Sequence, residues 1–286
     1  MRLIVFGLGY CGAAVASAAA ALGWAVAGTR RGSGGEAPAG VQGLAFDAAE
    51  PTLAGATHLL ATAPPSPSGD PVLERYGAAI AAAPALGWIG YLSSTGVYGD
   101  RGGGWVDEDT PPAPASDRSR RRLAAERQWS ALAENRGVDI FRLAGIYGPG
   151  RSAFDNLRAG TARRVVKPDQ KFGRIHRDDI VRAVLAAIRQ DRPSGVRILN
   201  LADDVPAENA AVVEEAARLL QMPPPPALPY AEAAIRMSEM GRSFWAENRK
   251  VASAKTQAAL GLRWRYRSYR EGLRAILLEE AGERPA

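Results

Sequence analysis

Cysteine is almost absent from this sequence. Cys11 is the single cysteine among 286 residues, so no disulfide can form within the chain and nothing indicates an oxidising compartment. Because Cys11 stands in the first turn of a predicted helix, the helix dipole could lower its pKa, but a packing role is the favoured interpretation. Aromatic residues are also scarce, at 7% of the chain. We predict no metal site.

A hydrophobic run long enough to cross a membrane is also missing. The nearly uncharged stretch at residues 3–29 is interrupted by Gly7, Gly9, Gly12 and Gly23. Their spacing fits a strand, a tight turn and a helix better than one spanning helix. We therefore predict no targeting segment, no membrane partner and a cytoplasmic protein.

Acidic residues are fewer than basic residues in this sequence. The chain carries 36 Lys and Arg against 30 Asp and Glu, a formal net charge of +6, which favours anionic partners. The arginine-rich stretch 118–122 is compatible with nucleic-acid binding, but it lacks a recognition motif and interleaved aromatic residues. The expected partner is therefore a small anionic molecule and not a nucleic acid.

Short apolar strands alternate with helical stretches along the first two-thirds of the chain. This alternation predicts an α/β fold, a Rossmann-type doubly wound parallel sheet with a smaller, mostly helical C-terminal lobe. We assign residues 1–201 to the Rossmann-type domain, with residues 150–175 contributing to the smaller lobe, and residues 202–286 to that small C-terminal lobe. The predicted strands are Leu3–Phe6, Trp24–Ala27, Gly43–Phe46, His58–Thr62, Trp88–Leu92, Val138–Leu143 and Val196–Leu201. The predicted helices are Gly12–Leu22, Val72–Ala83, Asp117–Asn135, His176–Arg189 and Ala207–Leu220.

A glycine motif with the spacing G-x-G-x-x-G follows the first strand and opens the first helix, which is the context that a dinucleotide site requires. Gly7 permits the tight turn, Gly9 lets the backbone approach a pyrophosphate, and Gly12 allows close packing of helix and strand. The helix N-terminus offers free N–H groups to the phosphates. The predicted cofactor-binding residues of this motif are Gly7, Leu8, Gly9, Tyr10, Cys11 and Gly12.

The end of the second strand bears on the choice between NADP and NAD. An NAD-specific site places an acidic residue there, whereas this chain has Thr29, Arg30 and Arg31. A guanidinium group suits the 2′-phosphate of NADP. The sequence therefore favours NADP(H), with NAD as the alternative, unless both arginines are simply solvated. Asp47, placed to meet the adenine or simply a surface aspartate, and Ala61 complete the predicted contacts.

Three further segments, Leu92–Asp100, Arg142–Gly150 and Ile175–Asp179, follow the glycine motif in order. Together they resemble the extended short-chain dehydrogenase/reductase superfamily, which includes NAD(P)-dependent nucleotide-sugar epimerases and dehydratases. The resemblance implies that Ser94, with Thr95 as its neighbour, hydrogen-bonds the reacting oxygen, although Ser94 could instead cap the loop. It also implies that Tyr147 lies near the nicotinamide and that His176 is structural.

The resemblance breaks at the residues that exchange protons in that superfamily. A Tyr followed four residues later by a Lys is expected, but the corresponding residues are Arg118 and Arg122, and no Tyr occurs between Gly99 and Arg142. Arginine does not release its proton in proteins. The two arginines could instead hold a phosphate or polarise a carbonyl. A proton would then come from water or from one of three residues, Tyr98, Asp107 or Glu108.

Basic residues also accumulate where the family's substrate lobe begins. The resemblance implies that such groups hold a substrate pyrophosphate, and we predict this role for Arg174 first, then Arg163 and Arg249. The alternative is that they are scattered surface arginines. The C-terminal aromatic residues, Phe244 among them, are predicted to pack the small lobe.

Two functions remain open at this point. The first is an NADP(H)-dependent oxidoreductase or epimerase acting on a phosphorylated or nucleotide-linked substrate, favoured because the Ser94 and Tyr147 segments are retained. The second is a non-catalytic NADP(H)-binding redox sensor or regulatory protein, favoured because the Tyr and Lys are missing. The resemblance further implies a homodimer through helices 72–83 and 117–135, although the arginines at 118–122 would bring like charges together there.

Overall fold

The computed structural model describes residues 1–32 and 36–282 of the chain. The strands of this part are β1 (Arg2–Phe6), β2 (Ala25–Arg30), β3 (Val41–Ala45), β4 (His58–Ala61), β5 (Trp88–Ser94), β6 (Trp105–Val106), β7 (Gly137–Leu143), β8 (Gly145–Tyr147), β9 (Arg164–Val166), β10 (Arg174–His176), β11 (Gly195–Leu201), β12 (Ala227–Pro229) and β13 (Lys250–Val251). Its helices are α1 (Tyr10–Ala21), α2 (Glu50–Ala54), α3 (Pro71–Ala82), α4 (Asp117–Ser130), α5 (Ala153–Arg158), α6 (Arg177–Ile188), α7 (Asn209–Leu219), α8 (Tyr230–Ile235), α9 (Glu239–Ala246), α10 (Ala254–Leu260) and α11 (Tyr269–Glu280).

The central sheet is entirely parallel. Seven strands of the described chain form it in the order β11-β7-β5-β4-β1-β2-β3. Strands covered on both faces need continuous apolar sequence, and β1 meets that need with four buried residues in succession, Leu3 to Phe6. Because all strands run the same way, their carboxyl ends meet at one edge, where parallel α/β sheets bind ligands.

Helices cover the two faces of the sheet with separate apolar cores. Helices α1 and α6 pack on one face, together with Leu260 and Trp264 from the C-terminal part of the chain. Helices α2, α3 and α4 pack on the other face. Helix α3 begins where the Asp70 carboxylate accepts hydrogen bonds from the amides of Val72 and Leu73, at 3.0 and 3.2 Å, which satisfies free N–H groups at the helix start.

The C-terminal lobe is joined to the sheet domain by more than its covalent link. Helices α5, α7 and α11 share an apolar core, while β9 and β12 pair beneath α8 and α9. Strand β13 pairs with β6, so that Lys250 lies opposite Trp105 and Val251 opposite Val106. The lobe therefore forms a core of its own and, through β13, also fixes the position of the loop that follows β5.

The predicted fold class is confirmed. All seven predicted strands belong to the central sheet, and the five predicted helices are present with ends that differ by up to about five residues. Strands β6, β8 to β10, β12 and β13 and helices α2, α5 and α8 to α10 were not predicted, because elements of two to eight residues show too little periodicity. The closing helix after Tyr269, which the family resemblance implies, is present as α11. The last four residues of the predicted C-terminal lobe, 283–286, lie outside the described residues. No described helix has the length and apolar character needed to cross a membrane.

Candidate active-site cleft

A cleft of about 590 Å³ opens at the carboxyl ends of β1, β5 and β7. It brings together most of the residues that the sequence singled out. The predicted site residues that line it are Gly9, Tyr10, Cys11, Gly12, Ser94, Thr95, Arg118, Arg122, Tyr147, Arg174 and Arg249. The residues predicted to bind phosphate, to contact the reacting oxygen and to carry positive charge come from separate motifs. They thus line one cavity.

The glycine turn forms the floor of the cleft. Gly7 has a φ of +108°, a conformation that side chains disfavour. Its amide donates to the Thr29 hydroxyl at 3.2 Å, and its carbonyl accepts from the Thr62 hydroxyl at 2.6 Å. A Cβ at Gly12 would collide with the Gly7 carbonyl oxygen, whereas a Cβ at Gly9 would meet nothing within 4 Å. Gly7 and Gly12 are thus required by the turn itself, while the protein's own packing gives no reason for glycine at Gly9.

Cys11 lies buried in the first turn of α1. Burial raises the pKa of its thiol to about 11, and the nearby Arg151 and Arg177 only partly oppose that effect. Burial therefore opposes the formation of a reactive thiolate, and the geometry favours a packing role.

We expect Cys11 to react with an alkylating reagent more than tenfold more slowly at pH 8 than a free cysteine. With a pKa of about 11, the thiolate becomes abundant only as the pH rises toward that value. The measurement is the rate of iodoacetamide labelling between pH 7 and pH 10, with glutathione as the reference thiol. Rapid labelling near pH 7 would contradict the assignment.

Ser94 ends β5 and faces the cleft. Its hydroxyl oxygen accepts a hydrogen bond from the Gly96 amide at 3.1 Å, which is a capping contact, and the hydroxyl hydrogen remains available for another acceptor. A Cβ at Gly96 would stand 2.9 Å from the Ser119 Oγ and 3.4 Å from the Ser94 Oγ, so the two hydroxyls flank the same backbone position. Thr95 is buried beside them. Capping and presentation to a substrate are thus both compatible with Ser94.

Helix α4 carries both arginines to this wall of the cleft. It begins at Ser116, whose hydroxyl oxygen accepts from the Ser119 amide at 3.2 Å. One guanidinium nitrogen of Arg122, Nη1, donates to the Tyr91 hydroxyl at 2.9 Å and to the Leu92 carbonyl at 3.0 Å. Partial burial and then the charge of Arg122 lower the pKa of Arg118, but arginine stays protonated at neutral pH.

A buried charge network fixes α4 against the sheet. Arg142 and Glu126 form a salt bridge with 2.8 Å between Nη2 and Oε2, and their side chains are 5% and 4% exposed. The Ser93 hydroxyl donates to the other Glu126 oxygen at 2.5 Å. The network joins β5, α4 and β7, so it determines where Ser94 stands relative to Arg118.

Tyr147 and His176 form the adjoining wall. Tyr147 lies edge-on to the His176 ring, with 5.1 Å between centroids, and its hydroxyl donates to the Ser268 carbonyl at 3.4 Å. Helix α11 packs against it so closely that a Cβ at Gly272 would overlap the Tyr147 ring. The His176 Nδ1 accepts from the Asp178 amide at 3.2 Å at the start of α6, and burial lowers the pKa of His176 to about 4. A neutral, capping histidine matches its predicted structural role.

The cleft has a strongly positive lining. The described residues that line it include one carboxylate, Glu247, and six cationic side chains, which are Arg118, Arg122, Arg151, Lys171, Arg174 and Arg249. Glu247 is paired with Arg249 at 2.5 Å. Arg174 also borders a second cavity of about 410 Å³ between α5, α7 and α11. The excess of positive charge favours an anionic ligand.

Several predicted site residues lie outside the cleft. Thr29 is buried and binds the glycine turn through its hydroxyl and its carbonyl. Ala61 lies in the core, Arg163 is exposed, and Asp47 is exposed in a short 3₁₀ turn. Arg30 and Arg31 stand at the end of β2, beyond the cleft lining. Their proposed contacts remain predictions.

The structure contradicts two sequence interpretations. Tyr98 is fully buried and donates to the Asn200 side chain at 2.8 Å, and neither it nor Asp107 or Glu108 lines the cleft. These residues are therefore not placed to supply a proton. Phe244 does not pack the lobe but is 56% exposed and lines the cleft. Sequence reasoning also missed Ser119, whose one signal is its position between the two arginines.

The fold and the ordered motifs define the class of protein: the chain belongs to the extended short-chain dehydrogenase/reductase superfamily as an atypical, epimerase/dehydratase-like member. It is 32% identical to Protein YeeZ from Escherichia coli (strain K12) over 245 residues, which are 78% of this chain and 85% of YeeZ, and it belongs to the same family as YeeZ. A 3-diazoavenalumate denitrifying reductase from Streptomyces is 30% identical over 181 residues, 59% of this chain and 58% of the reductase. No protein-family model matches the chain.

Solved structures share the fold of the chain. A conserved protein of unknown function from Silicibacter pomeroyi is 41% identical, with a TM-score of 0.88 over 98% of this chain and 99% of that one. MoeE5, solved with UDP-glucuronic acid and NAD, has a TM-score of 0.78 at 21% identity over 99% of this chain and all of that one. The likeness to MoeE5 is one of fold.

Proposed function

We propose that this protein is an NADP(H)-dependent oxidoreductase, or an epimerase, that acts on a small anionic substrate. The observation that carries the proposal is the open space over Gly9 at the start of α1, in a cleft that also holds Ser94 and six cationic side chains. The nicotinamide dinucleotide in MoeE5 and the reductase named among the relatives support the same class.

The residues at the glycine turn fit a dinucleotide. Gly9 leaves room for a pyrophosphate, and the amides at the start of α1 point toward that space. Tyr10 and Arg151 stand at its rim, with 5.6 Å between the guanidinium carbon and the ring centroid, so Arg151 is placed to neutralise phosphate. A nicotinamide cofactor bound here would supply or accept hydride.

Ser94 is the residue we assign to the reacting oxygen. Its hydroxyl hydrogen is free to bond a carbonyl or alcohol oxygen of the substrate, and the positive lining of the cleft stabilises negative charge that develops there. Reduction of a carbonyl adds one hydride to carbon and one proton to oxygen. Since neither arginine is an acid, water at the open side of the cleft supplies the proton.

Arg30 and Arg31 are assigned to the 2′-phosphate of NADP(H). We expect Arg30→Ala combined with Arg31→Ala to weaken NADPH binding at least about tenfold, because the loss of even one charged hydrogen bond to the phosphate costs roughly 1.5–3 kcal/mol. NADH binding should change less than about twofold, since NADH has no group at that position. Calorimetric titration with both nucleotides measures the two effects.

The exposed Arg236, far from the glycine turn in sequence and outside the cleft lining, provides the matched control. Arg236→Ala should leave both affinities unchanged. Equal loss of NADPH and NADH affinity in the double variant would contradict the selectivity assignment. Failure of the wild-type protein to bind any nicotinamide dinucleotide at millimolar concentration would overturn the proposed function.

A second candidate is a non-catalytic NADP(H)-binding sensor. The observation that favours it concerns the wall of the cleft that α4 forms with Arg118 and Arg122 (the α4 wall). Among the described residues, this wall presents serine hydroxyls and arginines, none of which releases a proton near neutral pH. A sensor would bind NADPH and NADP⁺ with unequal affinity and would not oxidise NADPH in the presence of any carbonyl acceptor. Turnover with any anionic aldehyde or ketone would support the oxidoreductase and exclude the non-catalytic sensor.

A further inference from the structure

The α4 wall of the cleft holds positive charge that the cofactor phosphates do not reach. Strand β4 lies between β1, which leads into the glycine turn, and β5, which leads to the α4 wall. The glycine turn and the α4 wall are therefore two strand spacings apart, which is roughly 10 Å. An anion beside Arg118 and Arg122 is therefore a group other than the pyrophosphate at Gly9.

The two arginines are prepared for such an anion. Within the described chain, Arg118 has no hydrogen bond or ion pair, and its one contact is with the Phe244 ring, 5.4 Å from the guanidinium carbon to the centroid. Arg122 is fixed through Nη1 to β5, and its Nε and Nη2 have no partner among the described residues. By contrast, Arg120 on the same helix is paired with Asp117. Two like charges one helical turn apart repel each other, and an anion between them would remove that penalty.

The surroundings of the pair indicate what the anion is attached to. The same cleft is also lined by apolar side chains from β5, from the segment before β10 and from the C-terminal lobe, which are Leu92, Phe172, Phe244 and Val251, and the Phe244 ring contacts Arg118. A phosphate needs donors around all its oxygens, and beyond the two arginines and the serine hydroxyls of this wall the apolar side chains supply none. A carboxylate on a flat apolar body needs only one planar pair of N–H donors for its two oxygens. The guanidinium group of arginine provides such a bidentate pair.

We propose that Arg118 and Arg122 bind the carboxylate of an aromatic or unsaturated carboxylic acid, whose body lies between Phe172 and Phe244. The reacting group of this acid would then lie beside Ser94. The inference rests on the proposed function for the reaction, but the binding of the carboxylate does not depend on turnover. It narrows the substrate class from any small anion to apolar carboxylates.

Binding of matched acids and amides tests the inference. Protein saturated with NADPH is titrated by calorimetry with benzoate and cinnamate, and with benzamide and cinnamamide, which keep the shape and lose the charge. We expect the acids to bind at least about tenfold more tightly than the amides. Arg118→Gln should remove that preference and Arg118→Lys should retain part of it, while both variants keep the wild-type melting temperature because Arg118 is exposed.

Arg121 supplies the matched control, since it lies on the same helix but does not line the cleft. Arg121→Gln should bind the acids as wild type does. Equal binding of acids and amides, an unchanged preference in Arg118→Gln, or displacement of benzoate by inorganic phosphate at lower concentration than by cinnamate would overturn the inference. If NADPH itself does not bind, the same titration on the free protein still decides the carboxylate site, and the proposed function alone fails.

Discussion

Replacing Gly9 with valine should weaken NADPH binding at least about a hundredfold, a loss of roughly 2.7 kcal/mol, with no change in melting temperature. The φ and ψ of Gly9 are −82° and −164°, which any residue adopts, and a Cβ there meets no atom within 4 Å. The added side chain therefore fits the free protein. It would occupy the space where the pyrophosphate approaches the backbone.

The comparison with two other glycines makes this expectation specific. Gly77 of α3 also has open space around its Cβ position, so Gly77→Val should bind NADPH as wild type does. Gly12→Val should instead lower the melting temperature, because its Cβ would collide with the Gly7 carbonyl. Calorimetric titration and thermal unfolding of the three variants separate these outcomes, and unimpaired NADPH binding by Gly9→Val would remove the observation on which the proposed function depends.

Replacing Glu126 with leucine should lower the free energy of unfolding by about 3–5 kcal/mol. The substitution leaves Arg142, whose side chain is 5% exposed, as a buried charge without its carboxylate, and it also removes the acceptor of the Ser93 hydroxyl. Urea denaturation followed by circular dichroism measures the loss.

The double variant Glu126→Leu with Arg142→Met tests whether the loss comes from an unpaired charge. Replacing both partners by apolar residues of similar size should recover most of the stability, since a buried ion pair contributes little net stability. Glu134→Gln, at an exposed position near the end of α4, should change the free energy of unfolding by less than about 0.5 kcal/mol. A double variant as unstable as Glu126→Leu would show that packing, not charge, is responsible.

The sequence was informative where local chemistry dictates structure. The G-x-G-x-x-G spacing after an apolar strand predicted the turn at Gly7, because its φ of +108° requires glycine. The strands of the sheet were predicted because full burial demands apolar runs. Motif order likewise predicted that Ser94 and the α4 arginines would lie together, and the structure places all of them in the cleft.

The rest of the site depends on tertiary contacts that no local pattern encodes. Phe244 and its neighbour Ser243 bring α9 to the cleft lining, and nothing in residues 239–246 distinguishes the position of Phe244 from a core position. The sequence does not reveal that Arg118 lacks an ion pair among the described residues while Arg120, on the same helix, is paired with Asp117. Tyr98 was a plausible proton donor by sequence distance, but the structure places its hydroxyl on Asn200, 102 residues away.

The contact of Leu260 and Trp264 with the core of the sheet domain, together with the pairing of β13 and β6, has a consequence for biosynthesis. A nascent chain that has emerged only as far as residue 201 already contains every strand of the sheet, yet one apolar face still lacks part of its cover. Long-range closure of this kind delays the final folding step. The exposed face is then a surface for chaperones to protect until synthesis is complete.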